Sequence, residues 1–517
     1  MLKSTDPLNR AHHMMDWHLA ARESDIALVD TDGTAVSYAQ WRDDIGATTE
    51  ALRESGVRAG DRVLLVGENC WAFVSLAIAC WHLEAWFVPV NARMSKPEIA
   101  GFVDHANPRL IVATSNVSSS ASDHLDHISV VLGKPVTEGF TRRGLKAIAT
   151  GIDDAEEVFD SAEEQVALML YTTGTTGKPK GVMLTHRNLL FAAERSRNAR
   201  ALNPADRLYC VLPMTHIFGF ASAFMGSLCA GCRLELSNRF DAETAFNAIT
   251  GGVTVFPGVP AMHAHLMEYA EKSGRGLGQA TDLRYISSGG APLDPEWKRK
   301  VETFFGLSLH NGYGMTETTA GIASTSVGAE RSDMSCGMPL DRVDIQIVTA
   351  PGKDQLEDGV GEIILAGGNI MKGYFRDPVE TAKVMDEQGY FHTGDLGHFG
   401  EDGCLFIDGR CKEMIIRSGF NVYPLEVETV INTHPDVIQS AVVGHTIEGG
   451  NEDVLAFVET ATPEQLTEEL LRDYLSERLT AYKRPSRIVV SNRLPASSTG
   501  KLLKHQMIGA FQEELGL

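Results

Sequence analysis

Residues 171–181 restrict the possible folds of this chain more than any other stretch. They include three glycines, four threonines, a proline and two lysines, a composition that cannot pack into a core. They follow 166–170, an apolar run typical of a buried strand. The sequence therefore predicts a glycine-rich loop at the end of a buried strand. Because glycines let the backbone approach a ligand, and amides, hydroxyls and ammonium groups bind phosphate, we expect an anion-binding loop.

This loop is not the P-loop of nucleotide triphosphatases, which reads G-x-x-x-x-G-K-[S/T]. Thr172 stands in place of the first glycine of that pattern. Pro179 stands in place of the hydroxyl residue that binds magnesium. A different phosphate-binding architecture is needed to explain the loop.

Length and charge limit the class of protein. At 517 residues the chain is too long for one core, so at least two domains are predicted. The net charge of −22 argues against nucleic-acid partners and anionic membranes. The apolar window 71–90 is interrupted by His82 and Glu84, which favours a buried helix followed by a strand over membrane insertion. With no apolar signal segment visible and eight scattered cysteines, a cytoplasmic protein is predicted.

Strand and helix patterns alternate along the chain. Apolar, strand-like runs separated by helical segments occur at 62–66, 86–90 and 110–113. This alternation predicts parallel βα units in a layered α/β fold. A second α/β region follows at 190–345, and β-rich stretches lie within 361–407.

The pattern changes to a small α+β unit near residues 410–412, so we predict an N-terminal domain 1–410 and a C-terminal domain 411–517. The clearest helix of the second domain is predicted to begin at Thr462, in a capping box with Pro463 at the first helical position. The apolar face predicted for this helix comprises Leu466, Leu470, Tyr474 and Leu475.

Further short motifs follow the glycine-rich loop in order: LPMTH (212–216), SGGAPL (288–293), NGYGMTE (311–317), YFHTGD (390–395), GRCKE (409–413) and STGK (498–501). In this order they resemble the acyl-adenylate-forming superfamily of acyl-CoA synthetases, luciferases and adenylation domains. Any one motif would be weak evidence, but the full set in order from 171 to 501 is strong, and because the N-terminal segment fits the same pattern the resemblance covers essentially the whole chain. The resemblance implies an N-terminal domain of layered βα subdomains with a β-rich subdomain, and a small mobile α+β C-terminal domain.

The resemblance also implies a reaction. A carboxylate is a poor electrophile, and its transfer to the α-phosphate of ATP forms a mixed anhydride and releases pyrophosphate. The enzyme must bring two anions together and stabilise the charge on phosphorus, which is a task of positioning and electrostatics. The expected activity is that of an AMP-forming acid–CoA ligase that uses ATP, Mg²⁺ and CoA.

The resemblance assigns the nucleotide to matched positions. The residues expected to hold the β- and γ-phosphates are Thr172, Thr173, Gly174, Thr175, Thr176, Gly177 and Lys180. Tyr313 would stack on adenine, and Asp395 would accept both ribose hydroxyls with Arg410 beside it. The other residues expected around the purine are Gly290, Ala291, Pro292, Asn311 and Gly312.

Catalytic roles are implied for four residues. Thr316 would contact the α-phosphate, and Glu317 would hold Mg²⁺, a hard cation suited to carboxylate and phosphate oxygens. Lys501 would bridge the oxygens of the acid and the phosphate as the adenylate forms. By resemblance His216 lines the passage between adenylate and acid pocket; simple packing against its apolar neighbours is the alternative.

The second half-reaction needs a different arrangement of the same site. Lys412 matches the hinge about which the small domain turns. The segment around Gly419 would then replace Lys501 and shape the channel for the pantetheine of CoA. Thr173 and Glu413 stand where the superfamily more often has Ser and Asp, and both keep the functional group.

The acid pocket is expected within 216–225, 258–265 and 312–320. Residues 212–225 have no acidic side chain for a substrate ammonium, and 258–265 have no basic one for a second carboxylate. An apolar lining favours a fatty or aryl monocarboxylic acid. The acceptor is expected to be free CoA; a carrier-protein thiol and a non-catalytic nucleotide-binding relative remain alternatives. A monomer and a homodimer are both compatible with the sequence.

Overall fold

The computed structural model describes residues 9–173, 179–277, 281–290, 293, 295–350, 356, 359–417, 420–447, 452–496 and 502–516.

The first α/β unit contains the predicted strands and the glycine-rich loop. Its elements are α1 (His13–Arg22), β1 (Ile26–Val29), β2 (Ala35–Ser37), α2 (Tyr38–Glu54), β3 (Arg62–Gly67), α3 (Trp71–His82), β4 (Trp86–Asn91), α4 (Lys96–Ala106), β5 (Leu110–Ala113), α5 (Ser119–Leu132), β6 (Lys146–Ala149), β7 (Val166–Thr173) and β8 (Pro179–Thr185). Strand β3 pairs in parallel with β4 and β5, as predicted. Strands β7 and β8 are antiparallel, so the loop joins the strands of a hairpin and β8 begins within the stretch predicted as loop.

The second unit is built in the same way. Its elements are α6 (His186–Ala199), β9 (Arg207–Cys210), a π-helix (Phe218–Met225), α7 (Gly226–Ala230), β10 (Arg233–Leu236), α8 (Ala242–Thr250), β11 (Val255–Gly258), α9 (Pro260–Ser273), β12 (Tyr285–Ser288), α10 (Pro295–Phe305), β13 (Leu309–Tyr313), a 3₁₀ turn (Thr316–Thr318), β14 (Ala323–Ser324) and β15 (Met338–Pro339). The strand order in its sheet is β15-β14-β13-β12-β11-β9-β10-β1-β2.

Helix α3 is apolar on all sides because it lies between the two sheets. Its residues Trp71, Phe73 and Trp81 belong to one core that includes side chains from both sheets. Helices α4 and α5 cover the outer face of the first sheet, and α8, α9 and α10 cover that of the second. The result is a five-layer α/β arrangement, which confirms the predicted fold class. Among the helices that the structure describes, none combines the length and apolar character needed to cross a membrane.

A β-rich region follows these layers. Its elements are β16 (Val343–Val348), β17 (Gly361–Gly367), β18 (Gly373–Tyr374), α11 (Pro378–Ala382), β19 (Phe391–Phe399) and β20 (Leu405–Arg410). Strands β16, β17, β19 and β20 form an antiparallel sheet. Strand β18 instead pairs with β8, next to the glycine-rich loop.

The C-terminal part is a small α+β unit. Its elements are β21 (Ile415–Arg417), β22 (Phe420–Val422), α12 (Pro424–Asn432), β23 (Gln439–Thr446), β24 (Glu452–Glu459), α13 (Glu468–Ser476), a 3₁₀ turn (Ala481–Lys483), β25 (Arg487–Ser491), α14 (Lys504–Ala510) and α15 (Gln512–Leu515). Strands β23, β24 and β25 form a sheet with α12 and α13 packed on one face and α14 and α15 on the other.

The predicted start of helix α13 was wrong. Residues 462–466 form a turn, closed by the Gln465 N–H donating to the Thr462 carbonyl at 2.9 Å. The helix begins at Glu468, and the N-cap is Thr467, whose hydroxyl accepts from the Leu470 N–H. Of the predicted apolar face, Leu466 and Leu475 are buried, but Leu470 is exposed and Leu471 is buried in its place.

Candidate functional site

The glycine-rich loop is held by the ends of its hairpin. Thr172 and Lys180 are register partners on β7 and β8. The predicted phosphate ligands Gly174, Thr175, Thr176 and Gly177 lie outside the described residues, as does the side chain of Thr173.

Lys180 already has a carboxylate partner. Its Nζ donates to Glu380 Oε2 at 2.5 Å and lies 4.8 Å from the centroid of the Tyr374 ring. Hydrogen bonds from Lys180 and Lys383 lower the pKa of Glu380 to about 2. Helix α11 thus supplies a fixed counter-charge for a lysine at the base of the loop.

Glu317 lies in the 3₁₀ turn together with Thr316 and is half-buried. Its Oε1 accepts the hydroxyl of Tyr374 at 3.0 Å, and its carbonyl accepts the Met371 N–H at 2.9 Å. Burial, with the charge of Glu317, raises the pKa of the Tyr374 phenol. The phenol is therefore the donor, and the second carboxylate oxygen is not used in this bond.

The turn that carries Thr316 and Glu317 needs glycine at its entrance. A Cβ on Gly314 would lie 1.2 Å from the carbonyl oxygen of Ala320. No side chain can be accommodated at that distance, so the turn closes only because residue 314 has none.

Gly314→Ala is therefore expected to open the turn and destabilise the protein by about 2–3 kcal/mol, the upper part of the range for overpacking. Thermal unfolding checks this. The matched control is Gly101→Ala, because Gly101 lies in α4 and a Cβ there meets no atom within 4 Å. The control is expected to be neutral or to stabilise by about 0.5–1 kcal/mol. Equal melting of Gly314→Ala and the wild type would contradict the close approach.

Asp395, Tyr313 and Arg410 meet, although they come from three separate motifs. The Tyr313 hydroxyl donates to Asp395 Oδ2 at 2.6 Å, and Arg410 Nε lies 3.3 Å from Asp395 Oδ1. Asp395 and Arg410 face each other across β19 and β20. Burial and the negative charge of Asp395 raise the pKa of Tyr313. Since Tyr313 and Glu317 are joined by the same short turn, this cluster is continuous with the Glu317 cluster.

The purine motif is partly described. Gly290 has φ +77°, and a Cβ there would meet no atom within 4 Å. Ala291 and Pro292 lie outside the described residues. Asn311 Nδ2 donates to the Ser335 carbonyl at 3.2 Å, and Gly312 pairs with Ser324 in the sheet. Asn311 and Gly312 thus bond to backbone groups of neighbouring segments and help to shape this part of the site.

His216 lies just before the π-helix, and its carbonyl accepts the Phe220 N–H at 3.0 Å. Its side chain is accessible, although burial by the surrounding protein lowers its pKa. A ring that is accessible but surrounded by protein indicates a position in a recess. Simple packing of His216 against its apolar neighbours is therefore not favoured. Within the π-helix, Phe218 and Ser222 are half-buried and the intervening residues are buried.

Lys412 is exposed in the turn that follows β20. The next residue, Glu413, accepts from Lys504 Nζ at 2.7 Å, and the same Nζ lies 2.8 Å from Glu428. Gly419 and Lys501 lie outside the described residues. The ends of the Lys501 segment are held together, because Ala496 pairs with Leu502 in an isolated bridge.

Sequence reasoning missed Tyr374 and Glu380. Both lie outside the motifs that carry the family resemblance, and Tyr374 reaches a residue 57 positions away. The available signal was a Gly-Tyr pair shortly before a helix with Asp377 as N-cap and Pro378 at its first position.

The chain resembles known proteins over nearly its whole length. Residues 15–375 match the family described as AMP-binding enzyme, and 426–501 match the AMP-binding enzyme C-terminal domain. A feruloyl-CoA synthase of Amycolatopsis sp is 31% identical over 482 residues, 93% of this chain and 94% of the relative. An oxalate–CoA ligase of Arabidopsis thaliana is 30% identical over 479 residues, 90% of this chain and 92% of the relative.

Solved structures show the same fold. ATP-bound MatB from Rhodopseudomonas palustris has a TM-score of 0.85 at 27% identity, covering 98% of this chain and 99% of that one. MenE from Bacillus subtilis in complex with ATP and magnesium ion has a TM-score of 0.80 at 27% identity, covering 96% and 99%. Fold and site together define an acyl-adenylate-forming enzyme. The chain belongs to the AMP-binding enzyme family, in its acid–CoA ligase branch.

Proposed function

We propose that this AMP-forming acid–CoA ligase activates an uncharged aryl monocarboxylic acid. A carboxylate oxygen of the acid attacks the α-phosphorus of ATP, and pyrophosphate leaves. The sulfur of CoA then attacks the acyl carbonyl, the thiol loses its proton, and AMP leaves with the phosphate oxygen. The first step yields acyl-AMP and the second acyl-CoA.

The nucleotide roles follow from the clusters. Asp395 accepts the ribose hydroxyls, with its position held by Tyr313 and Arg410. Thr316 contacts the α-phosphate, and Lys180 together with the 172–177 segment faces the β- and γ-phosphates. Because Lys180 and Asp395 are already held by protein partners, little reorganisation of these two groups is needed as charge develops.

The chemistry of the donor set suits Mg²⁺. Among the residues that the structure describes, no group of three or more His, Cys, Asp or Glu side chains could hold a metal by itself. A single carboxylate such as Glu317 suits Mg²⁺, which is usually held by one or two carboxylates plus substrate phosphates. When bound, Mg²⁺ neutralises phosphate charge and helps pyrophosphate to leave.

The π-helix at the proposed acid pocket carries the substrate proposal. Its accessible positions are Phe218 and Ser222, an aromatic ring and one hydroxyl on an otherwise buried apolar helix. A ring packs well against a planar aryl group, and a single hydroxyl can bind one polar substituent. Related proteins named feruloyl-CoA synthase, 4-coumarate–CoA ligase and indoleacetate–CoA ligase support the same class.

A dicarboxylic acid is the second candidate, because the buried cation Arg200 packs against the π-helix and could pair with a second carboxylate. Its Cζ lies 5.9 Å from the centroid of the Phe218 ring. However, Arg200 Nη1 donates to the Ser222 carbonyl at 2.6 Å, so this donor is already used within the protein. This favours the uncharged acid.

The test is a screen of CoA-dependent AMP release. The acids are cinnamates and benzoates, straight chains from acetate to palmitate, and oxalate. We expect kcat/KM for the best aryl acid to exceed that for the other classes by at least ~10-fold, the scale set by pocket contacts. A fatty acid or oxalate as the best substrate would contradict the aryl assignment. Pyrophosphate release without acyl-CoA would indicate a carrier-protein acceptor.

We further propose that residues 1–410 and 411–517 are the two domains, with the pivot at Lys412. The turn 410–414 leaves the antiparallel sheet and enters the C-terminal unit, which has its own cores.

Cysteines are free thiols throughout the described residues, which supports a reducing compartment such as the cytoplasm.

A further inference from the structure

Residues 368–375 lie between the two elements that are proposed to hold Mg²⁺ and triphosphate. On one side, the Phe375 N–H donates to the Gly181 carbonyl at 2.7 Å, which joins the segment to the strand leaving the glycine-rich loop. On the other side, the Met371 N–H donates to the Glu317 carbonyl at 2.9 Å. The segment thus connects the phosphate loop to the turn that carries the carboxylate.

The side chain of Tyr374 makes the same connection. It is buried, with 6% of its surface exposed. Its hydroxyl donates to Glu317 Oε1 at 3.0 Å, and Lys180 Nζ lies 4.8 Å from the centroid of its ring. Lys180 is held on its other side by Glu380 at 2.5 Å. One aromatic ring therefore separates the carboxylate from the ammonium group at a fixed spacing.

We propose that Tyr374 is a positioning residue for Mg²⁺–ATP, an inference that rests on the proposed roles of Glu317 and Lys180. Its hydroxyl uses one oxygen of Glu317 and holds the other in a fixed orientation for the cation. Its ring holds the Lys180 ammonium group by a cation–π contact. Binding then requires no separate ordering of the two groups. Residues that orient a metal ligand in this way change metal affinity about 10–100-fold when removed.

Tyr374→Phe tests this, because it keeps the ring and removes only the hydroxyl. Binding is measured without acid or CoA, by titrating Mg²⁺ in the presence of a non-hydrolysable ATP analogue in a calorimeter. The Mg²⁺ concentration for half-maximal binding is expected to rise about tenfold. AMP affinity is expected to stay unchanged, since the Asp395 cluster is intact. An Mg²⁺ requirement equal to that of the wild type overturns the proposal.

Tyr390→Phe is the matched control. Tyr390 also donates its hydroxyl to a carboxylate, that of Asp344, but on the surface of the β-rich region. The same chemical change there is expected to leave Mg²⁺ binding unaltered. An equal effect in both variants overturns the proposal.

A double-mutant cycle with Glu317→Gln separates positioning from a general structural effect. If Tyr374 acts through Glu317, Tyr374→Phe/Glu317→Gln binds the analogue no more weakly than Glu317→Gln alone. Multiplying effects would overturn the proposal, and thermal unfolding of each variant verifies folding. Should Tyr374→Phe fail to fold, the same cycle is measured with Tyr374→His. A wild type that releases no AMP with any acid contradicts the proposed function but leaves this binding test valid.

Discussion

Lys501→Ala is expected to slow acyl-adenylate formation at least ~10²-fold, the scale for losing one preorganised charge-stabilising donor. The same variant is expected to transfer the acyl group from supplied acyl-adenylate to CoA at nearly the wild-type rate. The difference arises because Lys501 is proposed to serve only the first half-reaction. The measurements are acid-dependent pyrophosphate release and single-turnover acyl-CoA formation from supplied acyl-AMP.

The described residues on either side of Lys501 lie close together. Ala496 and Leu502 pair at the base of its segment, and the Leu503 N–H donates to the Pro495 carbonyl at 2.9 Å. The matched control is Lys300→Ala, an exposed lysine on α10, which is expected to change neither rate. Equal losses of Lys501→Ala in both half-reactions would argue against alternation about Lys412.

Acid is expected to destabilise the protein through buried neutral histidines. His12 is buried with Nδ1 unpartnered, beside His82 at 4.4 Å between ring centroids. His186 Nδ1 accepts the Ala11 N–H at 3.2 Å, a bond that a protonated ring cannot make. Burial first, and then neighbouring histidines and Arg10, lower the pKa of His12 to about 2. Burial likewise lowers the pKa of His186 well below its usual value.

The free energy of unfolding depends on pH because the folded and unfolded chains bind different numbers of protons. Below pH 6.5 the unfolded chain protonates these rings and the folded chain does not, so their contribution is complete above that pH and falls as the pH falls. Between pH 7.5 and 5.0 His12 alone is expected to remove about 2 kcal/mol, at roughly 1.4 kcal/mol per pH unit below 6.5, and His186 adds to the loss in the same direction. Urea unfolding by tryptophan fluorescence at pH 7.5 and 5.0 measures this loss.

His12→Asn removes one of the contributing groups and is expected to reduce the loss by about 2 kcal/mol. His127→Asn, at an exposed position of α5, is the matched control and is expected to show the full loss. A pH dependence of His12→Asn equal to that of the wild type would refute the assignment to this cluster.

Local patterns predicted the layered part of the fold. The strands at 62–67 and 86–91 and helix α3 are confirmed. Strand and helix patterns that alternate along the chain are local features, and a helix that is apolar on all sides must be buried on all sides. The start of α13 was not predictable from its capping pattern, because two Thr residues five positions apart could each cap a helix. Packing of Leu471 against the sheet decided between them.

The candidate site divides in the same way. Motifs in order predicted that Asp395, Tyr313 and Arg410 belong to one site, and the structure brings them together. The contact between Tyr374 and Glu317 was not predictable, because it depends on β18 leaving its own sheet region to pair with β8. Pairing of a short strand with a distant sheet depends on three-dimensional packing and leaves no periodic pattern in the sequence.

The ion pairs of Lys504 bear on how far the small domain can travel. Lys504 joins Glu413, directly after Lys412, to Glu428 within α12. These ion pairs tie Glu413 to α12, so the proposed rotation about Lys412 would take place in the backbone dihedrals before Glu413. A modest torsional change there would become a displacement of many ångströms at the far end of the domain while both ion pairs of Lys504 stay intact.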